Sequence, residues 1–197
     1  MALLEIVQAG APVLRRPTRP LAPAELASAR VQELIESMRD TMRAAPGVGL
    51  AAPQIGESLQ LVVIEDSPDR QAALTPEQLA ARGRAVVPFH VLVNPTLTVI
   101  GDEVADAFEG CLSIAGLVMG VPRAYRVRVE ALDERGQRVV REASGWYARI
   151  LQHEVDHLRG VLCCDRMDPR TLSTAANLAA HWSGATPDEV RAALAAP

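Results

Sequence analysis

The chain lacks any apolar run approaching the roughly 20 residues that a membrane-crossing helix requires, so no membrane partner is expected. Its opening run from Met1 to Glu5 lacks the basic-then-apolar order of a secretory signal. Arg15, Arg16 and Arg19 carry the charge of an organelle-targeting segment, but Pro12, Pro17 and Pro20 would break the amphipathic helix that such a segment forms. A cytoplasmic protein is the expectation. Excess basic charge is missing too: the net charge is -4 and the pI near 5.6. Direct nucleic-acid binding, which gathers cations on one face, is not expected. Cysteines number three, and Cys163 and Cys164 are neighbours, where a bridge would be strained. Cys111 stands apart and needs its own explanation.

What is present suits one domain. The 197 residues can bury a sizeable core, and prolines and glycines are scattered rather than gathered into a linker. A single domain over 1–197 is expected, with a core to about 168 and a helical tail beyond. Leu26, Val31, Leu34, Ile35 and Met38 share one helical face, predicting a helix over 24–45 that ends at Pro46-Gly47. Strands are expected over 59–65, 91–100 with an interruption at Asn94-Pro95, 126–132 and 138–143. The last two form a predicted hairpin about Asp133-Glu134-Arg135-Gly136. Thr75-Pro76-Glu77-Gln78 reads as a capped helix start. Ser144 is the candidate N-cap, and Gly160 the stop, of a second long helix. An Ala-rich tail from Thr171 is helical in propensity, interrupted at Gly184 and restarted at Thr186-Pro187-Asp188-Glu189. Strands mixed with helices in no regular alternation predict an α+β fold, with antiparallel sheets packed around the second helix.

That helix carries His153-Glu154-Val155-Asp156-His157, an HExxH pattern. Residues four apart on a helix differ by about 40° and rise about 6 Å, so both imidazoles can grip one metal. Glu154 is then placed to act as general base on water. A catalytic divalent metal takes three protein ligands, and two cysteines compete to be the third. Cys163 completes HExxHxxGxxC, the metzincin spacing with Cys in place of the third His. Cys111 sits in the tight segment Glu109-Gly110-Cys111-Leu112-Ser113. The residues alone leave that choice open. Gly47 to Gln54, reading GVGLAAPQ, lets backbone approach a ligand and places one amide where an unpaired buried group would cost about 1 to 3 kcal/mol.

Together GVGLAAPQ, EGCLS and QHEVDHLRG closely resemble the three signature motifs of the peptide deformylase family, in order and approximate spacing. Ile6 to Leu21 resembles that family's N-terminal segment, so the likeness runs to about Asp168. The resemblance implies metal-dependent removal of the formyl group from N-formylmethionyl peptides of newly made proteins. It makes Cys111, His153 and His157 the ligands, so Cys163 loses its claim. Glu154 becomes the base, the Gln54 amide and Leu112 N–H become donors to the oxyanion, and Gly49 binds the peptide backbone. It favours Fe²⁺, with Zn²⁺, Ni²⁺ or Co²⁺ as replacements on isolation. The alternative is an HExxH metallopeptidase that uses Cys163 and cleaves internal bonds.

The sequence departs from the common bacterial pattern after EGCLS, where Ile114 to Gly120 lacks the usual Pro and Arg. Ala115-Gly116, the Ser144-Gly145-Trp146 start, Arg149 and the Asp165 to Asp168 exit look more like mitochondrial-type deformylases and their bacterial relatives. Val48, Trp146, Ile150 and His153 are expected to line the methionine pocket, which Trp146 and Arg149 would narrow or reshape. Asp156 is given a supporting role, and Gln152 one of orienting the site. The tail has Arg170 and Arg191 but no basic cluster, which argues against docking on ribosomal RNA and leaves at most a transient ribosome association. The 66–90 loop is read as a shield, a dimer contact or a surface excursion.

Overall fold

The structure, a computed structural model, describes residues 3–195. Among them the helices are α1 (Pro23–Leu26), α2 (Ala29–Ala44), α3 (Pro68–Gln71), α4 (Pro76–Ala81), α5 (Gly145–Leu158), α6 (Ala175–His181) and α7 (Pro187–Ala195). The strands are β1 (Gly49–Ala51), β2 (Leu61–Asp66), β3 (Val87–Val99), β4 (Val104–Cys111), β5 (Ile114–Ala124), β6 (Arg126–Leu132), β7 (Arg138–Ser144) and β8 (Ser173–Thr174). An antiparallel sheet of order β1-β2-β3-β6-β7 and a second of order β4-β5-β8 enclose α5, as the α+β expectation required. No described helix is long and apolar enough to cross a membrane.

The continuous apolar run of β2 has a reason: both faces of its sheet are covered. Leu61 and Val63 join Val31, Ile35, Met38 and Met42 of α2 in one core. Val62 and Ile64, on the opposite face, pack with Ala148, Ile150 and Leu151 of α5. Burying each such aliphatic side chain contributes about 1.5–3 kcal/mol, and this fixes where α5 lies. The β6–β7 hairpin pairs Leu132 with Arg138, and its turn is closed by Asp133 Oδ1 accepting from Arg135 N and Gln137 N at 2.9 and 2.8 Å.

Several expectations need correction. The first helix is two: Ser28 accepts from the Val31 amide at 3.4 Å and starts α2 afresh after α1. Ser144 stands at the N-cap position of α5 but makes no side-chain cap. Instead the Gly83 carbonyl accepts from Trp146 N at 3.3 Å, and it lies so close that a Cβ on Gly145 would come within 2.7 Å of it. The 66–90 loop is thus folded onto the N-terminus of α5, with Arg84 bound to Asp66 at 2.7 and 2.9 Å. β3 begins at Val87 and bends through Asn94, whose φ is +51°. Strands β1, β4, β5 and β8 had no clear sequence signal, because glycines, Pro122 and buried charges interrupt the apolar alternation of the β4–β5 hairpin.

Candidate metal centre and substrate cavity

Helix α5 brings His153 and His157 onto one face, with ring centroids 5.0 Å apart. Cys111, at the end of β4, faces them, its Sγ 3.4 Å from His157 Nε2. The donor atoms of Cys111, His153 and His157 all lie within 4.8 Å of one another, and Cys163 is not part of this group. A thiolate and two imidazoles form a donor set suited to a divalent metal. Cys163 is buried and packs against Cys111. That contact, together with burial, raises the Cys111 thiol well above the ordinary range and draws Cys163 down to about 7. A cation among the imidazoles would reverse the order, because it favours the thiolate it touches.

Behind the histidines lies a network that the motifs did not announce. Glu109 Oε2 is 2.9 Å from His153 Nδ1, and a carboxylate can only accept, so Nδ1 carries the proton and Nε2 is left for a metal. Arg123 donates to both oxygens of Glu109 at 2.7 and 3.0 Å, and Arg149 Nη1 adds a third bond at 2.7 Å. Arg123 also reaches Asp156 at 2.6 Å, which takes Arg166 at 2.6 and 2.8 Å. Burial raises the Glu109 pKa, but His153 and Arg123 win and hold it well below the usual carboxylate range. Burial likewise disfavours the charged His153 ring, yet Glu109 raises it to about 9. Asp156 is therefore an ion-paired support. Gln152, expected to orient the site, instead staples α5 to Ala124, accepting from its N–H at 3.0 Å and donating to its carbonyl at 2.8 Å.

Among the described residues Glu154 has no ion-pair partner. Burial lifts its pKa to about 7 although His153 opposes this, and its Oε2 is buried without a hydrogen bond to any described residue. Gly49 leaves room for it: a Cβ there would come within 2.2 Å of Glu154 Oε1. Gln54 is buried, its Oε1 accepting from Ala51 N at 2.9 Å while Nε2 lies 3.7 Å from Cys111 Sγ and 3.4 Å from Ser113 Oγ. The otherwise costly amide is thus satisfied and aimed at the metal centre. Leu112 is one peptide from the sulfur, and its carbonyl is held by Gln8 at 3.1 Å.

A cavity of about 730 Å³ opens on these groups. Its lining brings together Val48, Gly49, Gln54, Cys111, Leu112, Trp146, Ile150, His153 and Glu154, every expected site residue except the expected ligand His157, which is buried behind. Arg84 and Arg149 flank Trp146, their guanidinium carbons 5.2 and 6.0 Å from its ring centroid, so the pocket floor carries charge as well as bulk. Sequence reasoning missed Glu109, Arg123 and Arg84. Only the position of Glu109 beside Gly110-Cys111 offered a hint.

The polypeptide deformylase family matches residues 3–173. Peptide deformylase 3 of Streptomyces avermitilis is 49% identical over 192 residues, covering 97% of this chain and 83% of that protein. The mitochondrial peptide deformylase of Homo sapiens is 40% identical over 168 residues, 85% of this chain and 69% of that protein. The Met-Ala-Ser-bound crystal structure of the class I type b peptide deformylase from Acinetobacter baumannii superposes with a TM-score of 0.74 at 31% identity, covering 84% of this chain and 99% of that one.

Proposed function

The chain belongs to the polypeptide deformylase family, hydrolases that remove the formyl group from N-formylmethionyl peptides, and from this premise we propose how its residues divide the work. The carrying observation is the convergence of Cys111, His153 and His157 on one point at the wall of an apolar cavity that also holds Glu154. When bound there, a divalent metal supplies Lewis acidity toward water and toward the formyl oxygen. Glu154 takes the proton of the attacking water and passes it to the departing amine. Its pKa near 7 suits both duties. The Gln54 amide and the Leu112 N–H donate to the oxyanion, each worth about 3 kcal/mol of barrier. Glu109 holds the His153 ring in the ligating tautomer.

Val48, Trp146 and Ile150 take the methionine side chain. Gly49 pairs with the peptide backbone, a role supported by the position of β1 at an edge of its sheet. Fe²⁺ is the metal in the cell, in the cytoplasm, with Zn²⁺, Ni²⁺ or Co²⁺ as substitutes, and residues 1–197 act as one domain. Ribosome association is at most transient, since Arg191 is taken up by Asp106 and Asp168. The internal-bond metallopeptidase is not favoured, because the donor group contains Cys111 and leaves Cys163 out.

Anaerobically Fe²⁺-loaded protein is expected to release formate from formyl-Met-Ala-Ser. Glu154→Ala should cut kcat by about 10²- to 10⁴-fold while metal content stays the same. No formate from the loaded wild type would sink the reading.

A further inference from the structure

The β4–β5 hairpin changes register beside the metal centre: Cys111 pairs with Ile114, but Gly110 pairs with Val118. Residues 115–117 therefore bulge from β5, with Gly116 at φ +77° and Ala115 exposed, and all three line the cavity. This bulge is braced by the tail. Leu117 and Val118 pair with Thr174 and Ser173 of β8, and Ala175, the first residue of α6, itself lines the cavity.

The tail is anchored at several points. Gly120 N donates to Thr171 Oγ1 at 2.9 Å, and Pro187 packs so closely that a Cβ on Gly120 would meet its ring carbon at 2.8 Å. Arg191 of α7 ties the tail to β4 through Asp106 at 2.5 Å and also binds Asp168 and Asp188. The family match ends at residue 173, so α6 and α7 lie beyond it.

We infer that the bulge at 115–117 and the tail residue Ala175, braced by Thr174, form the downstream wall of the substrate channel, selecting on the residues that follow the formylmethionine. The inference rests on the reading that the formyl group lies between Cys111, His153 and Glu154. The methionine side chain then occupies the arm lined by Trp146 and Ile150, and the peptide backbone must leave by another. Residues 115–117 and Ala175 line that remaining part of the cavity.

The test compares formyl-Met-Ala with formyl-Met-Ala-Glu and formyl-Met-Ala-Arg in metal-loaded wild type, Ala175→Arg and Ala175→Glu. Binding of the product peptides Met-Ala-Glu and Met-Ala-Arg is measured alongside by calorimetry. Ala175→Arg should favour the acidic third residue by about fivefold in KM and in product affinity, the size expected of one partly exposed ion pair. Ala175→Glu should reverse the preference, and kcat on formyl-Met-Ala should not follow the charge. Equal effects on every peptide, or the same preference in both variants, would overturn the wall. Failure of the wild type on formyl-Met-Ala would strike the function instead, while the product-binding preference would still judge the wall.

Discussion

Arg123 and Arg128 lie five residues apart, one at the end of β5 and the other on β6, in a chain that contains no lysine. The Arg123 side chain is 3% exposed, held between Glu109 and Asp156, whereas that of Arg128 is 43% exposed beside Glu130 and Glu142. Both use the same chemistry. In water the exposed group gains little, because solvent screens the charges and long side chains lose freedom. In the interior the desolvation cost of each charge is offset only by paired, directed hydrogen bonds. The buried network therefore contributes less through net stability than through what it holds still. Its output is the fixed Glu109 carboxylate behind His153, while Asp156 steadies Arg123 from the other side.

Three changes test this contrast. Glu109→Ala leaves Arg123 and Arg149 facing each other without their shared carboxylate. It should lower unfolding free energy by about 3–5 kcal/mol in urea titration. Metal affinity should fall by about 10- to 100-fold in competition with a chelator. A loss no greater than that of a surface pair would break the comparison.

His90 sharpens it from another side, being buried with no carboxylate partner among the described residues. Its Nε2 faces the Tyr147 hydroxyl at 2.9 Å and its Nδ1 the Pro88 carbonyl at 2.9 Å, and burial pushes its pKa down to about 4. The unfolded chain takes up a proton as pH falls through 6.5, but the folded chain does so only near 4. The stability present above pH 6.5 is thus lost progressively across that window, by no more than about 3 kcal/mol. His90→Gln should flatten the fall when unfolding is followed from pH 7 to 4, and an unchanged slope would remove His90 from the account.

Arg128→Ala should produce the smallest effect. A change within about 1 kcal/mol is expected, shrinking further in added salt. A larger, salt-independent loss would mean that exposure is the wrong criterion.

How much of this was legible along the chain depended on how local each interaction is. The HExxH helix was readable because its ligands are one turn apart, and the β6–β7 hairpin because its turn residues are contiguous. The start of α5 at Ser144 was readable, but the partner of its first turn, the Gly83 carbonyl, comes from a loop far upstream that only the fold brings near. The β4–β5 hairpin was missed because its register shift, its glycines and the inward-facing Glu109 and Arg123 erase the period-two signal of a strand. Glu109 meets Arg123 from 14 residues away and Arg149 from 40, separations at which no spacing rule applies.

The sequence by itself determined the two histidines of the candidate metal site, the candidate base between them, the family and the α+β class. Helix periodicity, turn chemistry and motif order are properties of neighbouring residues. Tertiary structure gave the resemblance's choice of Cys111 over Cys163 its geometry, bringing that sulfur to one point with both rings. It also decided that Glu109 orients His153, and that the tail closes on the cavity at Ala175. The physical reason is common to all three. Each is a contact between distant segments, made when the buried faces of β2, α2 and α5 pack together and carry the polar groups attached to them into register.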